Sequence, residues 1–133
     1  IALFFSLLLR WYCIKISIDG SFFFTSLIIA TTLSRSAIPV IMSILPNARE
    51  DGLSAKTGQP SHITTLVAIA IGVSITLLFS GWVGLIIITV FFLTLCIAML
   101  LSRSKIGGQT GDTIGASQQL AELSIFSCLI IAF

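Results

Sequence analysis

The chain has 133 residues, of which 56% are hydrophobic and only 9% are charged, with a formal net charge of +2. A soluble domain is nearer half apolar and a quarter charged, so this composition excludes an ordinary soluble domain and indicates a membrane protein that contacts a lipid bilayer. With no basic patch and no interleaved aromatic residues, it also argues against nucleic acid as a partner. The three cysteines, Cys13, Cys96 and Cys128, lie in apolar surroundings and fit neither a disulfide framework nor a metal motif.

Residues 1–14 are predicted to be the end of a truncated helix. Arg10 and Lys15 are expected to follow it, in a short polar loop that closes at Asp19 and Gly20. The chain begins and ends inside apolar runs and has no initiator methionine. We therefore expect residues 1–133 to be a single integral-membrane helical domain. We also expect it to be a fragment, the C-terminal part of a longer protein.

The next predicted element is a membrane span over residues 21–46, whose length suits a tilted helix. Arg35 lies near its middle, and Pro39 is expected to kink it because a proline frees a backbone carbonyl. A guanidinium near the bilayer centre costs at least about 2.5–3.5 kcal/mol on insertion scales, so it should face a wet cavity or pair with an anion. Two interpretations stay open: Arg35 snorkels or pairs with Glu122, or it binds a phosphate.

The longest polar loop covers residues 47–62 and contains the charged run that starts at Arg49. Two continuous apolar spans follow, at 63–80 and 83–101, and neither carries a charge. They are joined by a tight hairpin at residues 81–82, where a tryptophan suits the membrane interface. Both spans are expected to be scaffold.

A glycine-rich loop is predicted over residues 102–112, followed by a final helix over 113–133. Residues 107–116 combine four glycines, two threonines, a glutamine and a carboxylate. Asp112 is the predicted N-cap, so the next turn would offer free N–H groups and a partial positive charge that suit a phosphate. An ordinary glycine-rich turn with an aspartate cap is the simpler alternative, because short glycine motifs often match by chance.

The polar side chains of the final helix form the other candidate site. Asp112, Gln119 and Glu122 are separated by seven and three positions, which places them near one helical face. A polar stripe on a membrane helix marks a cavity or a helix–helix contact. A carboxylate at the helix start could ligate a divalent cation that bridges phosphate oxygens. A deeper carboxylate could accept a proton from an attacking hydroxyl.

The elements together predict an all-α fold, a polytopic transmembrane helical bundle with about four full spans and a truncated first helix. If each span crosses once, the polar loops 47–62 and 102–112 lie on the same side of the membrane. Four basic residues belong to that side (Arg49, Lys56, Arg103 and Lys105) and two to the other (Arg10 and Lys15). The excess places both polar loops in the cytoplasm.

The run from Gly107 to Ala116, continued by Gln119 and Glu122, closely resembles the C-terminal signature of the cobalamin synthase family, whose members are adenosylcobinamide-GDP ribazoletransferases. The position of Arg35 ahead of a loop that opens with residues 45–49 agrees with this family in order and spacing. The resemblance covers essentially the whole chain, and the glycine-rich run is its most specific part.

The resemblance implies a multi-pass enzyme of the bacterial inner membrane that acts late in cobalamin biosynthesis. Such enzymes join adenosylcobinamide-GDP to α-ribazole or its 5′-phosphate and release GMP, with Mg²⁺ as the expected cofactor. The family's aspartate-rich N-terminal segment, a stronger candidate for the main metal site, is absent from this chain. The chain alone is therefore expected to be an incomplete enzyme, and a homo-oligomer is one assembly that the sequence allows.

The resemblance also assigns site residues. Asp112 is expected to be a metal ligand or a neighbour of one, and Glu122 a general base or an orienting partner. The residues expected to contact phosphate or substrate are Arg35, Arg49, Gly107, Gly108, Thr110, Gly111 and Gln119.

Two alternatives come from other functional classes. The chain could be half of a transporter, with residues 107–111 as a broken-helix site for an ion or substrate. It could also be a structural membrane subunit, which would explain the spans at 63–80 and 83–101. That second alternative leaves the cost of Arg35 and the polar face of the last helix unexplained.

Overall fold

The computed structural model describes residues 2–48 and 50–133, and its regular elements there are helices. In chain order they are α1 (Ala2–Asp19), α2 (Phe23–Arg35), α3 (Ala37–Ile44), α4 (Leu53–Thr57), α5 (His62–Ser80), α6 (Val83–Ile106) and α7 (Gly111–Ala132). The predicted all-α fold is confirmed.

Four segments of the described chain are long and apolar enough to cross a membrane: Phe23–Ile44, His62–Ser80, Val83–Ile106 and Gly111–Ala132. The first of them contains both α2 and α3. Large apolar side chains cover the outer faces of α5 and α6, and Leu78 and Leu93 are 80% and 61% exposed. Such exposure is costly in water but not in lipid, which agrees with the predicted polytopic membrane bundle.

Helix α7 lies at the centre of the bundle and packs against α1, α2, α3 and α6. Its apolar face meets the apolar faces of its neighbours in one continuous core. The fully buried members of this core include Ile29, Leu33, Ile87, Phe91, Leu95, Ile125, Phe126 and Leu129. The polar residues at the start of α7 therefore belong to a helix that contacts four others.

The span that contains Arg35 is broken, as predicted, and the break lies at Ser36. Pro39 is responsible, because it has no N–H to donate to the carbonyl of Arg35 four residues earlier. The break falls on that carbonyl rather than at the proline, which occupies the first turn of α3, where a missing N–H is tolerated. Gly72 of α5 approaches this point closely: a Cβ there would lie 3.3 Å from the Cα of Leu33.

The helices differ from the prediction at three polar loops. The loop predicted over 47–62 contains the short helix α4. The truncated first helix was expected to end near residue 14, but α1 continues to Asp19, so Arg10 lies inside a helix. The loop predicted over 102–112 is reduced to four residues, because α6 continues to Ile106. Arg103 and Lys105 were predicted to lie in the loop, but they lie in the last turn of α6. Basic side chains are favourable there because they interact with the helix dipole. The predicted hairpin between α5 and α6 is confirmed, with Gly81 at φ +53°.

Candidate functional site

Two loops that are far apart in sequence meet beside the start of α7. The backbone N–H of Gln109 donates to the carbonyl of Pro46 at 2.8 Å, and that of Ala48 donates to the carbonyl of Gln109 at 2.9 Å. The pair forms an isolated parallel β-bridge between Asn47 and Gln109. The loop after α3 and the loop before α7 therefore lie at the same end of the bundle.

The side chain of Gln109 fastens the two loops together and is only 1% exposed. Its Nε2 donates to the carbonyl of Leu45 at 3.0 Å and to Oδ1 of Asn47 at 3.2 Å. Its Oε1 is buried and has no hydrogen-bond partner in the described part of the chain. Burial of an amide is unfavourable unless its groups are hydrogen-bonded. The hydrogen bonds of Nε2 therefore hold this side chain, and with it the two loops, in one position.

The local backbone structure explains why glycine occupies positions 107 and 108. Gly107 ends α6 in the left-handed conformation, with φ +81° and ψ +3°, which favours glycine. A Cβ on Gly108 would overlap the carbonyl oxygen of Pro46, so the loops can approach only because no side chain is there. The phosphate contacts expected of these two residues stay predictions.

The N-cap of the final helix is Thr110, whereas the sequence predicted Asp112. The Oγ1 of Thr110 accepts a hydrogen bond from the backbone N–H of Thr113 at 3.2 Å, and Thr113 Oγ1 accepts one from the N–H of Thr110 at 2.8 Å. These two reciprocal hydrogen bonds form a capping box between two threonines and involve no carboxylate. Asp112 therefore occupies the first turn of α7 with its carboxylate not needed as a cap.

That carboxylate lines a cavity of about 710 Å³ between α1 and α7. Small residues on the α7 side make room: a Cβ added to Gly111 or Gly115 would meet nothing within 4 Å. The polar side chains of the lining are Ser6, Arg10, Asp112, Gln118 and Gln119. The cavity is therefore an apolar groove with several polar groups on two facing helices, the usual composition of a small-molecule site.

Arg10 is the cation of this cavity, and sequence reasoning missed it. Its Nη2 lies 3.0 Å from Oε2 of Glu122 and donates to Oε1 of Gln119 at 2.8 Å. The sequence interpretation placed Arg10 in a loop after a short helix. The signal that was missed is that apolar residues lie on both sides of Arg10 in the sequence. A helix can continue past a charged residue when its partner lies on another helix, as Glu122 does here.

The other predicted site residues are distributed unevenly around the cavity. Gly111, Asp112 and Gln119 line it, and Glu122 adjoins it through Arg10. Arg35 is exposed at the end of α2 and is not part of the lining. Of the interpretations left open for Arg35, pairing with Glu122 is not found, because that carboxylate pairs with Arg10. Arg49 lies outside the described residues.

The described residues provide few ligands for a metal ion. No group of three or more His, Cys, Asp or Glu residues converges in residues 2–48 and 50–133. Asp112 is the carboxylate of the cavity lining, and it forms no salt bridge in this part of the chain. Mg²⁺ commonly keeps several waters and is held by one or two carboxylates together with substrate phosphates, so a single carboxylate is compatible with that mode of binding.

The comparisons with known proteins agree on one family. The model of a family described as Cobalamin-5-phosphate synthase matches residues 1–130. The chain is 38% identical to an adenosylcobinamide-GDP ribazoletransferase of Mesorhizobium japonicum, over 98% of this chain and 51% of the relative. It is 36% identical to the protein of that name from Azorhizobium caulinodans, over 98% of this chain and 52% of the relative.

A more distant relative with the same name comes from Clostridium novyi and is 31% identical, over 100% of this chain and 53% of the relative. The chain thus spans about half the length of the curated relatives it matches. No solved structure shows significant similarity to it.

Proposed function

Because the chain belongs to the Cobalamin-5-phosphate synthase family, we propose that the protein containing it joins adenosylcobinamide-GDP to α-ribazole, or to α-ribazole 5′-phosphate, and releases GMP. A ribose hydroxyl oxygen forms a bond to the phosphorus on the cobinamide arm. The bond from that phosphorus to the GMP oxygen breaks, and the hydroxyl proton passes to a base or to water. In phosphoryl transfer the protein mainly positions groups and neutralises charge.

The observation that carries this proposal is the position of Asp112 inside a cavity that also contains Arg10. A carboxylate and a guanidinium on facing walls match the two parts of a magnesium-bound phosphate. Asp112 would hold Mg²⁺ together with water and phosphate oxygens, and the cation would withdraw charge from those oxygens. Capping by Thr110 supports this role, because it leaves the carboxylate available for a ligand.

Between the two roles expected for Glu122, its contacts favour the orienting partner. Its side chain is about 10% exposed and is paired with Arg10 at 3.0 Å. A carboxylate engaged in this way holds the guanidinium of Arg10 in place between α1 and α7. Asp112 is exposed in the cavity and is the proposed metal ligand, so the proton of the attacking hydroxyl would pass to water.

A location in the bacterial inner membrane, with the polar loops in the cytoplasm, belongs to the same proposal. It is supported by the contact between residues 45–48 and 107–110, which requires both loops to lie on one side. Arg103 and Lys105 at the end of α6 lie close to this side in the chain, and basic residues are enriched on the cytoplasmic face of membrane proteins.

The transporter alternative loses its main argument. The glycine-rich loop would have to separate two halves of one span, but it connects α6 and α7, each long enough to cross on its own. The continuous helices on both sides of residues 107–110 therefore favour a site at the mouth of the bundle.

The test is an assay of the full gene product that contains this chain, reconstituted in bilayers with adenosylcobinamide-GDP, α-ribazole and Mg²⁺. We expect GMP and a cobamide in equal amounts, and an Asp112→Asn variant should be slower by about 10²-fold or more if it loses a cation contact to the transferring group. Asp19→Asn is the matched control, because Asp19 is an exposed aspartate at the far end of α1. No product from the unsubstituted protein, beside an active relative, would contradict the proposal.

A further inference from the structure

Arg10 both joins α1 to α7 and lines the cavity between them. It lies in the middle of α1, with apolar residues on both sides of it in the sequence, and its side chain is 26% exposed. It lines the same cavity as Asp112. An arginine that only pairs with a carboxylate needs no open space beside it, so the cavity requires a separate explanation.

We infer that Arg10 is a phosphate-binding residue of this cavity and that Glu122 and Gln119 hold its guanidinium in the binding orientation. The inference rests on the proposed function for the identity of the phosphate compound. It adds a substrate contact to those predicted for the glycine-rich loop and for Arg35. It also gives a reason for the polar face of α7, whose residues orient a cation from α1.

The hydrogen bonds of Arg10 leave part of its guanidinium available. The contacts to Glu122 and Gln119 both use Nη2. Nη1 has no partner in the described part of the chain, and it is not among the buried polar atoms that lack one. Nε is such a buried atom, so the accessible donors are at the outer end of the group. A guanidinium fixed through Nη2 can still donate the N–H groups of Nη1 to a phosphate oxygen.

The charges of the cavity match a phosphate that arrives with a divalent cation. Arg10 and Glu122 neutralise each other, which leaves the carboxylate of Asp112 as the unbalanced charge of the described lining. A free phosphate would meet that carboxylate unfavourably, whereas a magnesium-bound phosphate brings a cation to Asp112 and oxygens to Arg10. The space beside Gly111 and Gly115 accommodates such a ligand between the two walls.

Chemical modification tests this inference without any substitution. Phenylglyoxal modifies accessible arginines, and peptide mass mapping resolves each site. We expect Arg10 to react in the reconstituted full gene product, and its reaction to slow at least about fivefold when magnesium pyrophosphate or adenosylcobinamide-GDP with Mg²⁺ is present, as for a group occupied by a bound ligand. Arg103, exposed at the end of α6, is the internal control and should react equally with and without ligand. No protection of Arg10, or no reaction in either condition, would overturn the inference.

Substitutions separate binding from helix pairing. The double variant Arg10→Met with Glu122→Met removes both charges and keeps side chains of similar length, so the bundle should survive. We expect KM for adenosylcobinamide-GDP to rise at least about tenfold, as for one lost hydrogen bond to a charged group. Arg10→Lys, which keeps the charge and the pairing, should show a smaller rise in KM and serves if the double variant does not fold.

The two proposals fail in distinguishable ways. An inactive unsubstituted protein in which magnesium pyrophosphate still protects Arg10 would contradict the proposed reaction and support the phosphate site. An active protein with unprotected Arg10 and a normal KM in the double variant would contradict the phosphate site and leave the reaction intact.

Discussion

Gly108 passes so close to the carbonyl oxygen of Pro46 that a single methyl group would not fit between them. This contact joins the loop after α3 to the loop before α7 and fixes the level at which the polar face of α7 begins. The first prediction follows from it. Gly108→Ala should lower the free energy of unfolding by about 2 kcal/mol or more, because backbone on both sides must shift.

The matched control for that substitution is Gly111→Ala. A Cβ there meets nothing within 4 Å, and the residue begins a helix, so stability should stay within about 1 kcal/mol of the parent protein. Thermal unfolding in detergent, followed by loss of the monodisperse peak, measures both variants. Equal stability of the two would contradict the close approach of the loops.

The buried amide of Gln109 gives a second prediction. Gln109→Glu removes the Nε2 donor and turns a carboxylate toward the oxygens of Leu45 and Asn47, so it should destabilise the protein by about 3 kcal/mol or more at neutral pH. The loss should shrink at acid pH, because the protonated carboxyl group can donate again. Gln109→Leu, measured beside it, should lose less than Gln109→Glu at neutral pH and show no such recovery. A Gln109→Glu protein as stable as its parent would argue against the interaction.

The identity of the N-cap of α7 gives a third prediction. Thr110→Ala should lower stability by about 1 kcal/mol, because it removes the acceptor for the N–H of Thr113. Asp112→Ala should cost less, about 0.3–1 kcal/mol, the value of an acidic residue in the first turn of a helix. Its larger effect should be on turnover. If Asp112→Ala destabilised the protein more than Thr110→Ala, the aspartate would be the cap after all.

The ion pair between α1 and α7 gives a fourth prediction. Glu122→Met alone leaves the guanidinium of Arg10 without its carboxylate partner and should cost about 3 kcal/mol. Adding Arg10→Met should restore most of the lost stability, because the second change removes the unpaired charge. Unfolding of the single and double variants forms a double-mutant cycle. Additive losses would show that the two side chains do not interact.

Topology gives a fifth prediction. After replacement of the native cysteines, Gln59→Cys and Ser104→Cys should both react with a membrane-impermeant maleimide from the cytoplasmic side, and Trp82→Cys only from the other side. All three parent residues are exposed. The contact between the two loops requires the first two positions to behave alike, and the excess of basic residues predicts that both face the cytoplasm. Opposite accessibility of positions 59 and 104 would contradict the contact between residues 45–48 and 107–110.

Much of the fold could be predicted because its signals lie in consecutive residues. Long apolar runs predicted α5 and α6, the pair Gly81 and Trp82 predicted the hairpin, and Pro39 predicted the break near Arg35. The resemblance to cobalamin synthases, carried by the run from Gly107 to Ala116, is confirmed by the family match over residues 1–130. Helix ends were less accurate, since Arg10 and Arg103 were taken to end helices that continue past them.

The site depended more heavily on contacts between distant residues. The sequence placed Asp112, Gln119 and Glu122 on one face of a membrane helix, and that face does border a cavity. It did not show that Glu122 would find its cation on α1, or that Arg35 would lie outside the cavity lining.

The sequence by itself determined the membrane character of the chain, its helices and the polar face of α7, because hydropathy, capping and backbone freedom act over a few neighbouring residues. Only the tertiary structure decided which cation faces that polar side, and that Thr110 rather than Asp112 caps the helix. Those outcomes depend on how each helix is rotated about its axis and how far it slides along its neighbours. That arrangement is set by the packing of the whole core.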